Sequence, residues 1–174
     1  RDGAFIESPP VMPPFVHLRL HTEFSVTDSI VRIDEAVAKA AGDGQPALAI
    51  TDLGNLFGAV KFFKAAQGKG VQPIIGCEVW IENAKNRDAP ARVLLLCRNA
   101  AGYLNLCRLL TRAFRDNTWR GRAELNRDWL RGEAVDGLLV LSGGTLGDVG
   151  QAILQDDLVR AKSLAQEWAR DFPD

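Results

Sequence analysis

Three side chains able to do chemistry alternate along one short stretch, His17, Arg19 and His21, with Leu18 and Leu20 between them and Val16 before them. Period-two alternation marks a half-buried strand, so this spacing puts two imidazoles and a guanidinium on one strand face. A Thr-Glu-Phe-Ser loop follows, and then Asp28. Two further acids stand where apolar runs give out, Asp52 after residues 46–51 and Glu78 within residues 72–81. Imidazole and carboxylates gathered at strand ends are the makings of a hydrolytic metal centre. Nitrogen and oxygen ligands would hold Zn, Mn or Fe, and a metal-activated water would be the nucleophile. The same residues also suit ordinary roles. His21 fits a hydrogen-bonded structural histidine, Asp52 a turn or helix cap, Glu78 an acid paired with an arginine, and His17 plain packing.

The elements that must position these groups can be read in order. Residues 1–14 hold four prolines, which cannot donate to a ladder, and are expected to form an extended or disordered arm. The strand at 16–21 comes next. A helix is expected over 32–41, with Ile33, Ala36, Val37, Ala40 and Ala41 as its apolar stripe. Residues 46–51 form an apolar run that suits a strand buried on both faces, of the parallel kind. A helix over 56–67 would turn Leu56, Ala59, Val60, Phe63 and Ala66 inward. Strands are expected at 72–81 and 93–97, joined by a polar segment. Asn99 can cap a helix reaching Phe114, with Tyr103, Leu106, Cys107, Leu110, Ala113 and Phe114 on one side. Residues 116–131 are charged and carry Trp119 and Trp129. They are expected to be a loop with one short helix, and the basic stretch 112–131 is a candidate contact surface. A strand at 137–142 and helices at 147–155 and 158–170 complete the chain. Strand and helix alternate, which gives an α/β class with a mainly parallel sheet. No glycine-rich phosphate loop supports a nucleotide-binding open sheet, so a barrel with a polar mouth is favoured.

Bulk properties agree with one globular domain. The 174 residues are 47% hydrophobic and 25% charged, with a net charge of −1, so no basic surplus marks nucleic-acid binding. No apolar run is long enough to span a membrane. The three cysteines, Cys77, Cys97 and Cys107, lack metal-ligand spacing and suit small buried hydrophobes in a reducing cytoplasm. The chain starts at Arg1 and stops on Asp174, and both ends are expected to lie inside a longer protein.

Five ordered motifs carry a resemblance: H-L-R-L-H-T-E-F-S-V-T-D at 17–28, A-L-A-I-T-D-L-G-N-L-F-G at 47–58, P-I-I-G-C-E at 73–78, N-A-A-G-Y-L-N-L at 99–106 and L-S-G-G at 141–144. Together they resemble the PHP (polymerase and histidinol phosphatase) domain that opens the α subunit of bacterial replicative DNA polymerases, in its proteobacterial form. The resemblance covers residues 15–174. It implies a distorted (β/α)7 barrel, truncated before its last strands. It implies as partners the rest of the polymerase chain, a proofreading exonuclease subunit and, through the parent enzyme, DNA. Mg would serve the parent polymerase, and the location would be cytoplasmic, with no membrane contact.

Position by position, the resemblance also implies a loss. Metal-binding members open with His-x-His, where this chain has Arg19 and His21; they have Asp-His, where it has Asp52-Leu53. They have a histidine at Arg92, and cysteine or histidine at Gly144. His21, Asp28 and Glu78 remain at ligand positions, with Asp52 beside one. Leucine and glycine offer no side-chain donor, and arginine stays protonated and repels a cation. No catalytic residue and no resident Zn, Mn or Fe is therefore expected, and any residual metal would sit on His21, Asp28 and Glu78. Arg19 and Arg92 are expected to stand in for the lost metal charge, with Arg19 within ion-pair distance of Glu78, Asp28 or Asp52. The expected role is a structural and interaction module. The competing readings are a metal-dependent phosphoesterase or pyrophosphatase, a 3′–5′ proofreading exonuclease on the same fold, and a stand-alone barrel unrelated to replication.

Overall fold

The computed structural model describes residues 15–172. The expected arm at 1–14 lies outside them. Six strands form one sheet: β1 (Ala47–Ile50), β2 (Gln72–Ile81), β3 (Ala91–Cys97), β4 (Thr118–Trp119), β5 (Arg122–Leu125) and β6 (Leu138–Leu141). Five helices accompany them: α1 (Ile33–Gly42), α2 (Ala59–Gly68), α3 (Ala100–Asp116), α4 (Asp148–Leu154) and α5 (Leu158–Asp171).

The hub is β2. Its first half pairs in parallel with β1. Its second half pairs antiparallel with β3, and its last two residues pair in parallel with β5. β6 lies antiparallel on β3, and among the described residues it pairs with no other strand. The sheet is thus mixed rather than mainly parallel. The reason lies in the connection at 82–90, which holds no helix. A parallel neighbour needs a crossover of about a dozen residues or more, usually a helix, so β3 folds straight back on β2.

Alternation assigns the two faces of the sheet. Cys77, Val79 and Ile81 of β2, with Val93 and Leu95 of β3, pack against Leu106, Leu109 and Leu110 of α3 and Trp168 of α5. On the other face Leu94 and Leu96 meet Ala49, Ile74 and Leu139. Being buried on both sides explains why β3 reads as a continuous apolar run. A second core seats α1 and α2 on β1, through Ile33, Val37, Phe62, Ala66, Leu48 and Ile50.

Several expectations need correction. Residues 15–21 do not form a regular strand. They run beside β1, with a single bridge from His17 to Leu48 and backbone bonds to Ala49 and Thr51. The Leu20 amide turns instead to the Thr51 hydroxyl, at 2.9 Å, so a side chain interrupts the ladder. Helix α2 starts at Ala59, leaving Leu56 in the preceding turn, and buries Ala59, Phe62 and Ala66 while Val60 and Phe63 are exposed. Helix α3 buries Leu106, Leu110 and Ala113 as expected, together with Asn105 and Leu109, but exposes Tyr103 and Phe114. In α5, where apolar spacing marks Leu158, Ala161, Leu164, Ala165 and Trp168 as the expected face, Ala161 and Trp168 are buried while Leu158 and Ala165 are not. Residues 116–131 contain the β4–β5 hairpin as well as a 3-10 turn at Arg127–Trp129. That hairpin is built around Glu124, fully buried and held by Arg87 and Arg122 at 2.8 and 2.9 Å.

Helix α3 is seated through a close backbone approach. Asn99 caps it by accepting from the Gly102 amide at 3.0 Å, and a Cβ on Gly102 would fall 1.9 Å from the Gly137 carbonyl oxygen. Gly102→Ala must therefore push α3 away from the turn before β6. The expected loss is about 1–3 kcal/mol, the usual range for overpacking, read as a lower urea midpoint at unchanged slope. An unchanged midpoint would show that the approach is not close in solution.

Candidate functional site

The mouth of the fold is assembled where β2 passes its midpoint. Glu78 pairs with Leu94 and Trp80 with Arg92 across the β2–β3 ladder. Residues two apart share a face, so Glu78 and Trp80 project together on the side opposite α3 and α5. Arg92 is held by its partner: its guanidinium lies 4.0 Å from the centre of the Trp80 ring, a cation–π contact. Segment 15–21, laid against β1, brings in Arg19 and His21.

These groups converge on one oxygen. Glu78 Oε2 receives Arg19 Nη2 at 2.8 Å and lies 2.6 Å from His21 Nε2, with Arg92 Nη1 at 3.7 Å. The Glu78 side chain is 1% exposed and that of Arg19 55%, so a buried acid is reached by an arginine from the rim. The histidine contact is a close ion pair rather than a well-aligned hydrogen bond. The other ring nitrogen, His21 Nδ1, lies 3.0 Å from Asp28 Oδ2, and Arg92 Nη1 is 3.6 Å from the same oxygen. The expected Arg19 ion pair is present, to Glu78, and Arg92 bridges towards both Glu78 and Asp28.

An imidazole between two carboxylates is favoured as imidazolium. Burial works against the charge on His21, but the Glu78 contact and the charges of Asp28 and Glu78 outweigh it and raise the pKa. For Glu78 burial pushes upward, and His21 and Arg19 together overcome it and hold the pKa below the usual glutamate value.

Asp52 plays another part. It is buried and accepts both the Thr22 amide and the Thr22 hydroxyl, and burial raises its pKa despite these bonds. It ties the loop after His21 to the end of β1. Leu53 bridges to Glu78 through the backbone, and its amide donates to the Ser25 hydroxyl at 2.9 Å. Asn55 reaches the Phe24 carbonyl at 3.0 Å. Gly144 faces open space, while its neighbour Gly143 stands against the Arg92 carbonyl. His17 stays outside the cluster, edge-on to Phe15 at 4.6 Å between ring centres. Sequence reasoning missed Thr22, Ser25, Thr51, Asn55 and Trp80. The available signal was the run of small polar residues in 22–25 and 51–55, which is typical of loops that bond each other.

A metal ion here would need the lone pairs of His21, Asp28 and Glu78 aimed at a common point. Instead both imidazole nitrogens face carboxylate oxygens, and two guanidinium groups stand where a cation would sit. Among the described residues no group of three or more His, Cys, Asp or Glu is arranged to hold a metal. As arranged, the residues do not fit one.

Two outcomes follow from this geometry. Glu78→Ala leaves His21 and Arg92 to share Asp28 alone, and the expected loss is about 3 kcal/mol, the low end for breaking a buried pair. Arg19→Ala removes a rim partner, and about 1 kcal/mol or less is expected. Urea unfolding of both variants measures the difference, and equal losses would contradict the burial asymmetry. The pH dependence has a defined sign. The His21 contribution, raised above the ordinary 6.5, is fully present below that value and is lost as pH rises through the folded value. The Glu78 contribution, lowered from 4.5, is present above that value and lost as pH falls through the folded one. The stability gap between wild type and His21→Gln should therefore shrink as pH rises above 6.5, and a gap that widens would refute the assignment.

Comparison with known proteins bears on this site. The family model for the PHP domain matches residues 17–174. The DNA polymerase III α subunit of Pseudomonas aeruginosa is 41% identical over 160 residues, 92% of this chain and 14% of that protein. That of Neisseria meningitidis is 46% identical over 164 residues, and that of Escherichia coli K12 38% over 162, each covering 93% of this chain and 14% of the relative. The chain thus spans about one seventh of the length of these curated relatives. Among solved structures, an amidohydrolase from Chromobacterium violaceum with bound sulfate and no metal aligns at TM-score 0.45 and 21% identity, over 56% of this chain and 32% of its own. A metal-dependent phosphoesterase from Bifidobacterium adolescentis aligns at 0.43 and 17%, over 90% and 52%. The chain belongs to the PHP domain family, and within it is homologous to the N-terminal region of the DNA polymerase III α subunit, a replicative DNA polymerase.

Proposed function

We propose that this chain is the PHP domain of a replicative polymerase α subunit and acts there as a structural and interaction module, its former metal site filled by ion pairs. The observation that carries this is the approach of Arg19, His21 and Arg92 to Glu78. A guanidinium is a permanent cation with fixed donors and no lone pair. It satisfies a buried carboxylate as a metal would, but it cannot activate water or polarise a phosphoryl oxygen as a metal does. On this reading Arg19, Leu53, Arg92 and Gly144 mark lost ligand positions. His21, Asp28 and Glu78 are kept because the mouth needs their charges for stability, with Asp52 holding the adjoining loop.

DNA synthesis, with its Mg, then belongs to parts of the parent polymerase outside these residues. The partners are the rest of the α chain, the proofreading exonuclease subunit and, through the parent enzyme, DNA, in the cytoplasm. The domain supplies a rigid platform and no chemistry of its own.

Metal analysis of the full-length chain, paired with hydrolysis of an aryl phosphate, of pyrophosphate and of a DNA 3′ end, tests this. The expected result is no stoichiometric Zn, Mn or Fe, and hydrolysis that is indifferent to His21→Ala. Stoichiometric metal with activity abolished by His21→Ala would make the domain a phosphoesterase or nuclease instead.

A further inference from the structure

Helices α2 and α3 each carry a second apolar stripe that the described residues leave largely uncovered. On α3, Ala100, Tyr103, Cys107 and Phe114 recur at helical spacing over about 21 Å, at 1.5 Å per residue, beside the buried Leu110. Facing them are Phe57, Val60 and Phe63, of which Phe57 is 72% and Val60 65% exposed. The two helices are seated on different parts of the sheet, α2 on β1 and β2 and α3 on β3, β5 and β6. Two grooves follow one another along α3, the first walled by α2 and the second by the loop at 54–57. One, of about 490 Å³, is lined by Val60, Phe63, Cys97 and Tyr103; the next, of about 640 Å³, by Leu56, Phe57, Leu110 and Phe114.

Charge at the grooves has one sign. Among the described residues, their charged lining groups are Lys64, Arg98 and Arg115, and no described carboxylate lines either one. Arg115 is bound to Asp116, whereas Lys64 forms no ion pair among the described residues. Asn99 and Thr111 complete a polar border around the apolar floor. An apolar centre within a polar rim is the anatomy of a separable interface rather than of a face sealed inside one chain.

We infer that the α2–α3 groove docks an amphipathic helix from a separate protein chain, apolar on the buried side and acidic on its flank. An apolar trough about 20 Å long beside α3, walled by α2 and the loop before it, matches some fourteen residues of helix, and such grooves are filled through anchors at i, i+3 or i+4, and i+7. Aromatic side chains on both walls supply the contacts that dominate such interfaces. The acidic flank follows from Lys64, which lines the first groove with no carboxylate beside it among the described lining residues. This rests on the reading of the domain as an interaction module.

The test uses the full-length chain and a fluorescent synthetic helix of about twenty residues, with leucine at anchor spacing and glutamate on its flank. Saturable binding is expected, weakened at least about tenfold by Phe63→Glu or Tyr103→Glu, exposed positions whose variants should melt as wild type does. Lys64→Glu should reverse the preference between this helix and one with lysine flanks. Val60→Cys in the full-length chain should react with a thiol reagent and become protected when the helix is added. No saturable binding, equal binding of both helices, or indifference to all three groove variants would overturn the inference. So would a Val60→Cys already protected in the chain alone, because the polymerase itself would then cover the groove. Any of these failures leaves the non-catalytic reading to its own metal and hydrolysis test.

Discussion

A carboxylate buried in the middle of a strand sets the terms for the rest of this domain. Glu78 lies on β2, the strand that every other part of the sheet reaches directly or through β3 or β5. Its side chain is 1% exposed. A charge taken that far out of water costs several kcal/mol unless cations and hydrogen bonds surround it. Here the cations come from different elements: Arg19 and His21 from the segment along β1, and Arg92 from β3. Satisfying Glu78 therefore fixes how those elements meet. Asp28 shares His21 and Arg92 with Glu78, which draws the loop after His21 over the same point.

The same physics recurs further along the sheet. Glu124 on β5 stands opposite Trp80, fully buried, between Arg87 and Arg122. Trp80 lies between the two acids and is approached by Arg92 at 4.0 Å and Arg122 at 5.4 Å. The mouth is a row of acids, guanidiniums and an aromatic ring on one face of β2. The other face, with Cys77, Val79 and Ile81, belongs to the core under α3 and α5. One strand thus carries an apolar and a charged surface, and its alternation joins them. Each acid in this row already faces an imidazole or a guanidinium, so the row ties together the elements that supply them.

Much of the fold was legible because helix and strand signals are local. The stripe of α1, the Asn99 cap and the apolar runs of β1, β3 and β6 give the element types within a residue or two. Pairing direction was less legible, yet the helix-free connection at 82–90 carried the clue to an antiparallel β3. The β4–β5 hairpin was missed because its strands are short and charged, and its reason, the burial of Glu124, depends on Arg87, 37 residues earlier. Val60, Phe63, Tyr103 and Phe114 were expected inside because apolar spacing alone cannot tell a stripe seated on the sheet from one left facing a groove.

At the candidate site the division is sharper. Residue identities alone determined that Leu53 and Gly144 lack a donor, that Arg19 and Arg92 add positive charge, and that His21, Asp28, Asp52 and Glu78 are the acids and imidazole left to satisfy. Side-chain chemistry does not depend on where the chain goes. Only the tertiary structure decided which cation meets which acid: Arg19 and His21 on Glu78, Arg92 between Glu78 and Asp28, and Asp52 turned away to Thr22. Coulomb and hydrogen-bond energies depend on distance and burial, and segments far apart in sequence acquire those only when β2 brings them together.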